Sequence, residues 1–326
     1  MNVLVTGATG FIGFHLTQRL VQEGYHVRAL VRPATDAGAL AALGVEIARG
    51  DVRDLSTVDR ATANCRLVFH LAARTSHGNL PAKETYAINA QGTANVARAA
   101  VQAGASRLVF VSTSTVYGIT KNRAIDERTP VNPASAYAES KVQAEQTLLS
   151  HHARDGLPVV IARISSVFGP GATSWLGLFQ SIAAGRFRLL GSGDNYYHPG
   201  DVSDIVEGLF LCGTVQGVEG RTYIITGGEP LPLRGIIRLI EDELGVTGSS
   251  RRAIPGAPLR LYKLFNDAVR ACGGGQLPRF DRVEFFLNDR IFDQSRAQAE
   301  LGYLPTVGVK EAIHRTAEWS RAQGDL

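Results

Sequence analysis

Lysine and cysteine are scarce in this chain of 326 residues, and long apolar runs are missing. Only five of its 34 basic residues are lysines (Lys83, Lys121, Lys141, Lys263 and Lys310), and 30 acidic residues leave a formal charge of +4. The basic residues are scattered, and Arg251-Arg252 is the single adjacent pair. A nucleic-acid groove needs a clustered stripe of cations, so no nucleic-acid partner is expected. The three cysteines, Cys65, Cys212 and Cys272, have neither metal-binding nor redox spacing. No metal site is expected, and an odd number of thiols in a long chain fits a reduced, cytoplasmic setting. No stretch approaches the ~20 apolar residues that span a bilayer, so no membrane partner is expected. The first residues, Met-Asn-Val-Leu-Val-Thr-Gly, lack a basic segment and read as a first strand, not as a signal peptide.

What the chain does have is a rhythm. Strand-like runs at Asn2–Val5, His26–Val31, Val45–Ala48, Arg66–His70, Arg107–Val111 and Val159–Ala162 alternate with helical stretches at Phe14–Gln22, Ala82–Ala103 and Ala136–Ala153. Such alternation predicts an α/β fold: a Rossmann-like, doubly wound parallel sheet with helices on both faces. Its ligands bind beyond the carboxyl ends of the strands, where strand order reverses. After Gly169-Pro170-Gly171 the rhythm breaks. Tyr223–Ile225 reads as one more strand of the main sheet, Leu233–Leu244 and Val309–Arg321 as helices, and Arg290–Phe292 as a short strand. The expected organisation is a dinucleotide-binding domain over residues 1–170, rejoined by about 201–228. A smaller, partly interleaved substrate lobe would occupy 171–326.

Between the first strand and first helix lies Thr-Gly-Ala-Thr-Gly-Phe-Ile-Gly, residues 6–13. Gly7 permits a tight turn, Gly10 lets backbone N–H groups approach a pyrophosphate, and Gly13 allows close helix–strand packing. The helix N-terminus adds unpaired N–H groups and a positive dipole end. Thr9, Phe11 and Ile12 complete the candidate contacts. The second strand ends Ala29-Leu30-Val31-Arg32. An NAD site usually places a carboxylate there for the ribose 2′-hydroxyl, whereas the Arg32 guanidinium suits a 2′-phosphate, so NADP is favoured over NAD.

Read this far, the chain resembles the extended short-chain dehydrogenase/reductase family, in its nucleotide-sugar epimerase/dehydratase branch. Gly50-Asp51-Val52-Arg53-Asp54 resembles the adenine-edge motif, which assigns Asp51 to the adenine amino group and the Val52 backbone to the ring. His70-Leu71-Ala72-Ala73 resembles the strand motif that lines the cofactor. Tyr86-Ala-Ile-Asn89-Ala-Gln-Gly92-Thr93 resembles the Asn-containing helix segment. Family members often dimerise through the helices carrying Asn89 and Tyr137, which implies a homodimer.

Tyr137 and Lys141 are four residues apart on one predicted helix, so they project from one face. Hydride chemistry needs a proton carrier at the oxygen of the reacting carbon. An ordinary tyrosine, with a pKa of about 10, is too weak an acid to be a base at neutral pH. A neighbouring ammonium favours the phenolate, so Lys141 is expected to lower the Tyr137 pKa and to reach the nicotinamide ribose. A hydroxyl at the end of the Val111-Ser112-Thr113-Ser114-Thr115-Val116-Tyr117 segment can hold the reacting oxygen. The resemblance places the catalytic hydroxyl four residues before Tyr117, which selects Thr113 and leaves Ser112 beside the cofactor. Ser114, Thr115 and Tyr117 then face substrate.

The resemblance also bears on the reaction. Dehydratases of the family carry Asp-Glu after the catalytic hydroxyl, and decarboxylases a Glu at the second position. This chain has Ser114 and Thr115, which disfavours both reactions. Ser166 stands where epimerases usually have Asn, and Tyr197 where they put an Arg on the nucleotide diphosphate. Both remain candidate substrate contacts, with Arg252, Arg279 or Arg282 as substitutes and 278–286 as an element near the pocket. The expected activity is NAD(P)-dependent hydride transfer at a secondary carbinol or ketone of a small molecule. A nucleotide-sugar epimerase or keto-sugar reductase comes first. The alternative is a 3β-hydroxysteroid- or dihydroflavonol-type enzyme, and a non-catalytic dinucleotide sensor is a lesser one.

Overall fold

The computed structural model describes residues 1–75, 82–118, 124–248, 253–254, 257–272 and 289–326. Its centre is a seven-stranded, wholly parallel sheet. The strands are β1 (Asn2–Thr6), β2 (His26–Val31), β3 (Glu46–Arg49), β4 (Leu67–His70), β5 (Arg107–Thr113), β6 (Val159–Ile164) and β7 (Thr222–Ile225), in the spatial order β3-β2-β1-β4-β5-β6-β7. Strand order reverses between β1 and β4, which is where the sequence reading looks for a ligand. β7 comes from beyond the Gly169-Pro170-Gly171 break and pairs with β6, as its sequence predicts.

Alternation along each strand produces two cores. Val3 and Val5 of β1, Val109 and Val111 of β5, and Val160 and Ala162 of β6 point to one face of the sheet. Leu4, Leu108, Phe110, Val159 and Ile161 point to the other. The first face is covered by helices α1 (Phe11–Gln22) and α2 (Gly38–Ala42) and by the helix Val202–Thr214. The second is covered by α3 (Leu55–Thr62), then a segment that runs from α4 (Ala82–Tyr86) through one π-helical turn (Ala87–Gln91) into α5 (Gly92–Gln102), and α6 (Ala136–Asp155). The sequence predicts one helix over Ala82–Ala103; the π-turn inside it is the difference.

The remaining chain builds a third core. The helices Thr173–Ala183, Leu233–Leu244 and Val309–Ala322 bring together Trp175, Phe179, Ile236, Ile240 and Ile313. Leu233, Ile236, Ile237 and Ile240 recur at helical spacing, so burying one stripe is enough to hold that helix in place. Phe11, in the first turn of α1, packs against both the first and the third core. Arg251, Arg252, Arg279, Arg282 and the stretch 278–286, named above from the sequence, lie outside the described residues. Among the described residues no helix is long and apolar enough to cross a membrane.

Candidate active site

Parallel strands deliver their carboxyl ends to one edge, and three segments meet there. The first is the glycine turn. Gly7 has φ +75°, and a Cβ on it would lie 2.6 Å from the Ala72 backbone nitrogen. A Cβ on Gly13 would lie 2.1 Å from the Gly7 carbonyl oxygen, so α1 starts directly against the turn. Gly10 is exposed and caps α1 with no side-chain acceptor, which leaves the first-turn N–H groups of Phe11, Ile12 and Gly13 without an intrahelical partner. Such a cradle fits a dinucleotide pyrophosphate. Thr9 is exposed at its rim. The Phe11 ring turns instead towards Gly171, where an added Cβ would be 3.1 Å away.

The second segment follows β4. Leu71, Ala72 and Ala73 are half-buried along it, and Ala72 N–H donates to Thr6 Oγ1 at 3.2 Å. Thr6 Oγ1 lies 2.6 Å from His70 Nδ1, and His70 Nε2 lies 2.9 Å from Thr93 Oγ1, whose hydroxyl bonds the Asn89 carbonyl. These partners assign His70 a neutral ring with its proton on Nε2. Burial, with the Lys141 charge adding to it, pulls the His70 pKa down to about 3. Asn89 stands on the π-turn. Its amide accepts from Arg74 N–H at 2.7 Å and donates to the Arg74 carbonyl at 3.0 Å and to Ser140 Oγ at 2.9 Å. The Asn89 side chain thus ties this loop to α6.

After β3, Arg53 makes a contact to which the sequence assigns no role. Arg53 donates to both Asp51 oxygens, Nη2 to Oδ2 at 2.7 Å and Nε to Oδ1 at 3.0 Å. This pairing, with Arg32 contributing at longer range, holds the Asp51 carboxyl below the usual carboxylate range. Arg32 itself is exposed at the end of β2. Val52 is buried beneath Gly92, and its carbonyl accepts from Asn95 at 2.9 Å.

The third segment ends β5. Thr113 Oγ1 accepts from Thr115 N–H at 3.2 Å and lies 3.1 Å from Thr115 Oγ1, which fixes the single 3-10 turn Ser114–Tyr117. The Thr113 and Tyr137 hydroxyls are hydrogen-bonded to each other, which brings two predicted catalytic groups together. Ser135 caps α6 by accepting from Ala138 N–H at 3.2 Å, so Tyr137 and Lys141 enter the site from the first two turns of a fixed helix. Lys141 is 2% exposed; its Nζ donates to the Val111 carbonyl at 2.8 Å and lies 4.5 Å above the Phe110 ring.

The electrostatics differ from the sequence expectation. Burial pushes the Tyr137 phenol up to about 12, with only the Thr113 hydrogen bond opposing it. Burial also pulls the Lys141 amine down to about 7, with Glu145 opposing it. Desolvation disfavours the charged form of both groups and outweighs the single partner that opposes it at each.

Beneath these groups runs a buried network. Glu145 accepts from Ser112 Oγ at 2.5 Å and from Arg163 Nη2 at 2.6 Å and Nε at 3.1 Å, while Arg163 Nη1 donates to Tyr117 Oη at 2.9 Å. The Ser112 hydroxyl is turned to Glu145, and Tyr117 is buried against Arg163. Ser114 is buried, whereas Thr115 and Ser166 are half-buried. Tyr197 is buried with the Arg290 guanidinium 5.3 Å from its ring centre. Arg290 thus places a cation beside a position where the sequence has none, and no local motif announces it.

Comparison with known proteins agrees with this architecture. Residues 3–226 match the NAD dependent epimerase/dehydratase family. Sterol demethylase protein B of Methylococcus capsulatus is 30% identical over 99% of both chains. A 4-hydroxy-2-methyl-3-oxo-4-farnesyl-3,4-dihydroquinoline-1-oxide ketoreductase of Stigmatella aurantiaca is 33% identical over 96% of this chain and 95% of the relative. The crystal structure of DesIV, a dTDP-glucose 4,6-dehydratase from Streptomyces venezuelae with NAD bound, superposes with a TM-score of 0.78 at 27% identity, covering 99% of this chain and 97% of the other. With the glycine cradle, the Thr113–Tyr137 bond and these end-to-end likenesses together, the chain belongs to the NAD dependent epimerase/dehydratase family of extended short-chain dehydrogenases and is one of its enzymes.

Proposed function

We propose that this enzyme interconverts a secondary alcohol and a ketone on a small, largely apolar substrate, using NADP in preference to NAD. Residues 1–170 with about 201–228 form its dinucleotide-binding part, and the rest of 171–326 its substrate lobe. The observation that carries the reading is the Tyr137 phenol hydrogen-bonded to Thr113 beside a buried Lys141. A bound nicotinamide supplies or accepts the hydride. In the reducing direction the Thr113 and Tyr137 hydroxyls both donate to the ketone oxygen. As the carbon gains hydride, the phenol proton passes to that oxygen, which stays on the carbon as the product's hydroxyl. The phenolate left behind is stabilised by the Thr113 donor and by the Lys141 charge, and it recovers its proton from solvent. A phenol pushed up to about 12 is fully protonated at neutral pH, which suits a proton donor. An alkoxide is a far stronger base than a phenolate, so the transfer runs downhill.

Elimination or decarboxylation needs an extra acid/base group near the transient ketone. The positions that would hold it are hydroxyls, Ser114 and Thr115. The apolar substrate class draws support from the farnesylated dihydroquinoline ketoreductase and the sterol demethylase protein, both alike end to end. Tyr197 at the diphosphate position supports it too. A second reading, a nucleotide-sugar epimerase with tightly held NAD, is favoured by the likeness to DesIV and by Arg290 near Tyr197.

Purified enzyme should oxidise NADPH with prenylated or polycyclic ketones and carry no nucleotide through purification. Tyr137→Phe should lose about 10²–10⁴-fold in hydride transfer while still quenching on NADPH binding. Copurifying NAD together with epimerisation of a nucleotide sugar would establish the second reading instead. Wild-type turnover by Tyr137→Phe would sink both.

A further inference from the structure

Tyr137, Lys141 and Glu145 occupy successive turns of one face of α6. The first two belong to the acid–base pair of the proposed function, and the third has no role in it. Glu145 is 4% exposed, yet it is not an idle core carboxylate. It receives Ser112 Oγ at 2.5 Å and the fork of Arg163 at 2.6 and 3.1 Å. Ser112 lies between Val111, whose carbonyl holds Lys141 Nζ at 2.8 Å, and Thr113, whose hydroxyl holds Tyr137.

We propose that Glu145 is a positioning residue for this pair: clamped by Arg163 and Ser112, its carboxylate fixes the end of β5 against α6 and supplies the negative charge that keeps the Lys141 ammonium protonated in a dry site. The inference rests on reading Tyr137 and Lys141 as the acid–base pair. An ammonium enclosed by apolar groups tends to release its proton, and a nearby anion opposes that loss. Glu145 is the anion that acts in this sense on Lys141. Among the described residues no other charge acts on Lys141 in this sense. His70 of β4 is neutral, kept so by burial and then by the Lys141 charge. Tyr137 keeps its proton, Tyr117 accepts from Arg163, and the Arg163 fork is turned to Glu145. On α4, Tyr86 donates to Glu139 at 2.6 Å, alongside Lys83 and Glu84. Arg98 of α5 is exposed, and Arg107 lies at the far end of β5, paired with Glu219. A helix register thus carries three functions on one stripe: proton carrier, counter-charge to its phenolate, and counter-charge to that lysine.

The chain has only five lysines, so ¹³C-lysine labelling yields few enough ε-carbon signals to follow Lys141 through a pH titration. Lys141→Met identifies its signal. The readout needs no substrate, so it stands whether or not the enzyme's proposed activity is found. In Glu145→Gln the Lys141 midpoint should fall by about one pH unit or more, because the opposing charge is gone. A merely structural carboxylate predicts the reverse, since a loosened core admits water and raises the midpoint. Glu145→Gln with Arg163→Met removes both buried charges, leaves no unpaired guanidinium, and should also titrate below wild type. This double variant decides the matter if the single one does not fold. An unchanged or raised midpoint in the single variant, or a wild-type midpoint in the double one, overturns the proposal.

Discussion

The charge state of a buried group is decided by what water it has lost, and His70 shows the consequence most plainly. Its ring sits between Thr6 and Thr93, with a pKa pulled down to about 3 by burial. A free histidine titrates near 6.5. Between those values the unfolded chain takes up a proton that the folded one refuses. The stability that His70 contributes is therefore complete above about pH 6.5 and is lost as pH falls towards 3. Melting temperature followed from pH 7 to 4 should drop more steeply in the wild type than in His70→Gln; parallel curves would remove His70 from the acid response. Arg32 carries a second prediction at this scale. Arg32→Asp should shift the ratio of NADP to NAD affinity towards NAD by about tenfold or more, because a bidentate partner for a 2′-phosphate becomes a repelling carboxylate. Ligand titration with both dinucleotides measures it, and an unchanged ratio would exclude Arg32 as the determinant.

Among the elements, α1 and α6 carry most of the chemistry, and each depends on how it begins. The first turn of α1 touches the glycine turn so closely that Gly13→Ala must displace one from the other. The expected result is a loss of about 1–3 kcal/mol of stability together with weakened dinucleotide binding, read by denaturant unfolding and NADPH titration. Retained affinity would mean that the cradle is looser than its geometry implies. For α6 the start is the Ser135 cap, and Ser135→Ala should cost about 1 kcal/mol. Helices of this kind were legible in the sequence where one stripe is apolar and the ends carry their own signals. The predicted bounds Leu233–Leu244 match, and Ala136–Ala153 falls two residues short of the observed helix. The helix Val202–Thr214 was missed because it is apolar nearly all round, packed against both α1 and the sheet, so no stripe stands out. The helices Leu55–Thr62 and Gly38–Ala42 are too short to show a period.

Across the whole molecule, the question is what holds the third core against the sheet. Asp204, near the start of the Val202–Thr214 helix, accepts from Thr306 N–H at 3.0 Å, Thr306 Oγ1 at 3.1 Å and Val307 N–H at 2.9 Å. Those residues immediately precede the C-terminal helix Val309–Ala322, which lines the third core. Asp204→Ala should cost about 1–3 kcal/mol by stranding these donors, and limited proteolysis should then cut near residue 306 first. An undisturbed digestion pattern would show that hydrophobic packing alone holds this segment.

The sheet, its strand order of recurrence, the glycine turn and the Tyr137–Lys141 stripe could all be read from residues close together in the chain, because turns, pleats and helix faces are set by local backbone geometry. The Asn89 brace on Arg74, the Arg53 clamp on Asp51, the Arg290–Tyr197 stack and the Glu145–Arg163 pair were decided only when the chain was folded. Except for Arg53, these groups meet across 15 or more residues of sequence. The same holds for the protonation of Tyr137 and Lys141. Spacing placed the two side by side, but their charge is governed by water excluded by β5 and α6 together, a property of the packed interior that no stretch of sequence possesses alone.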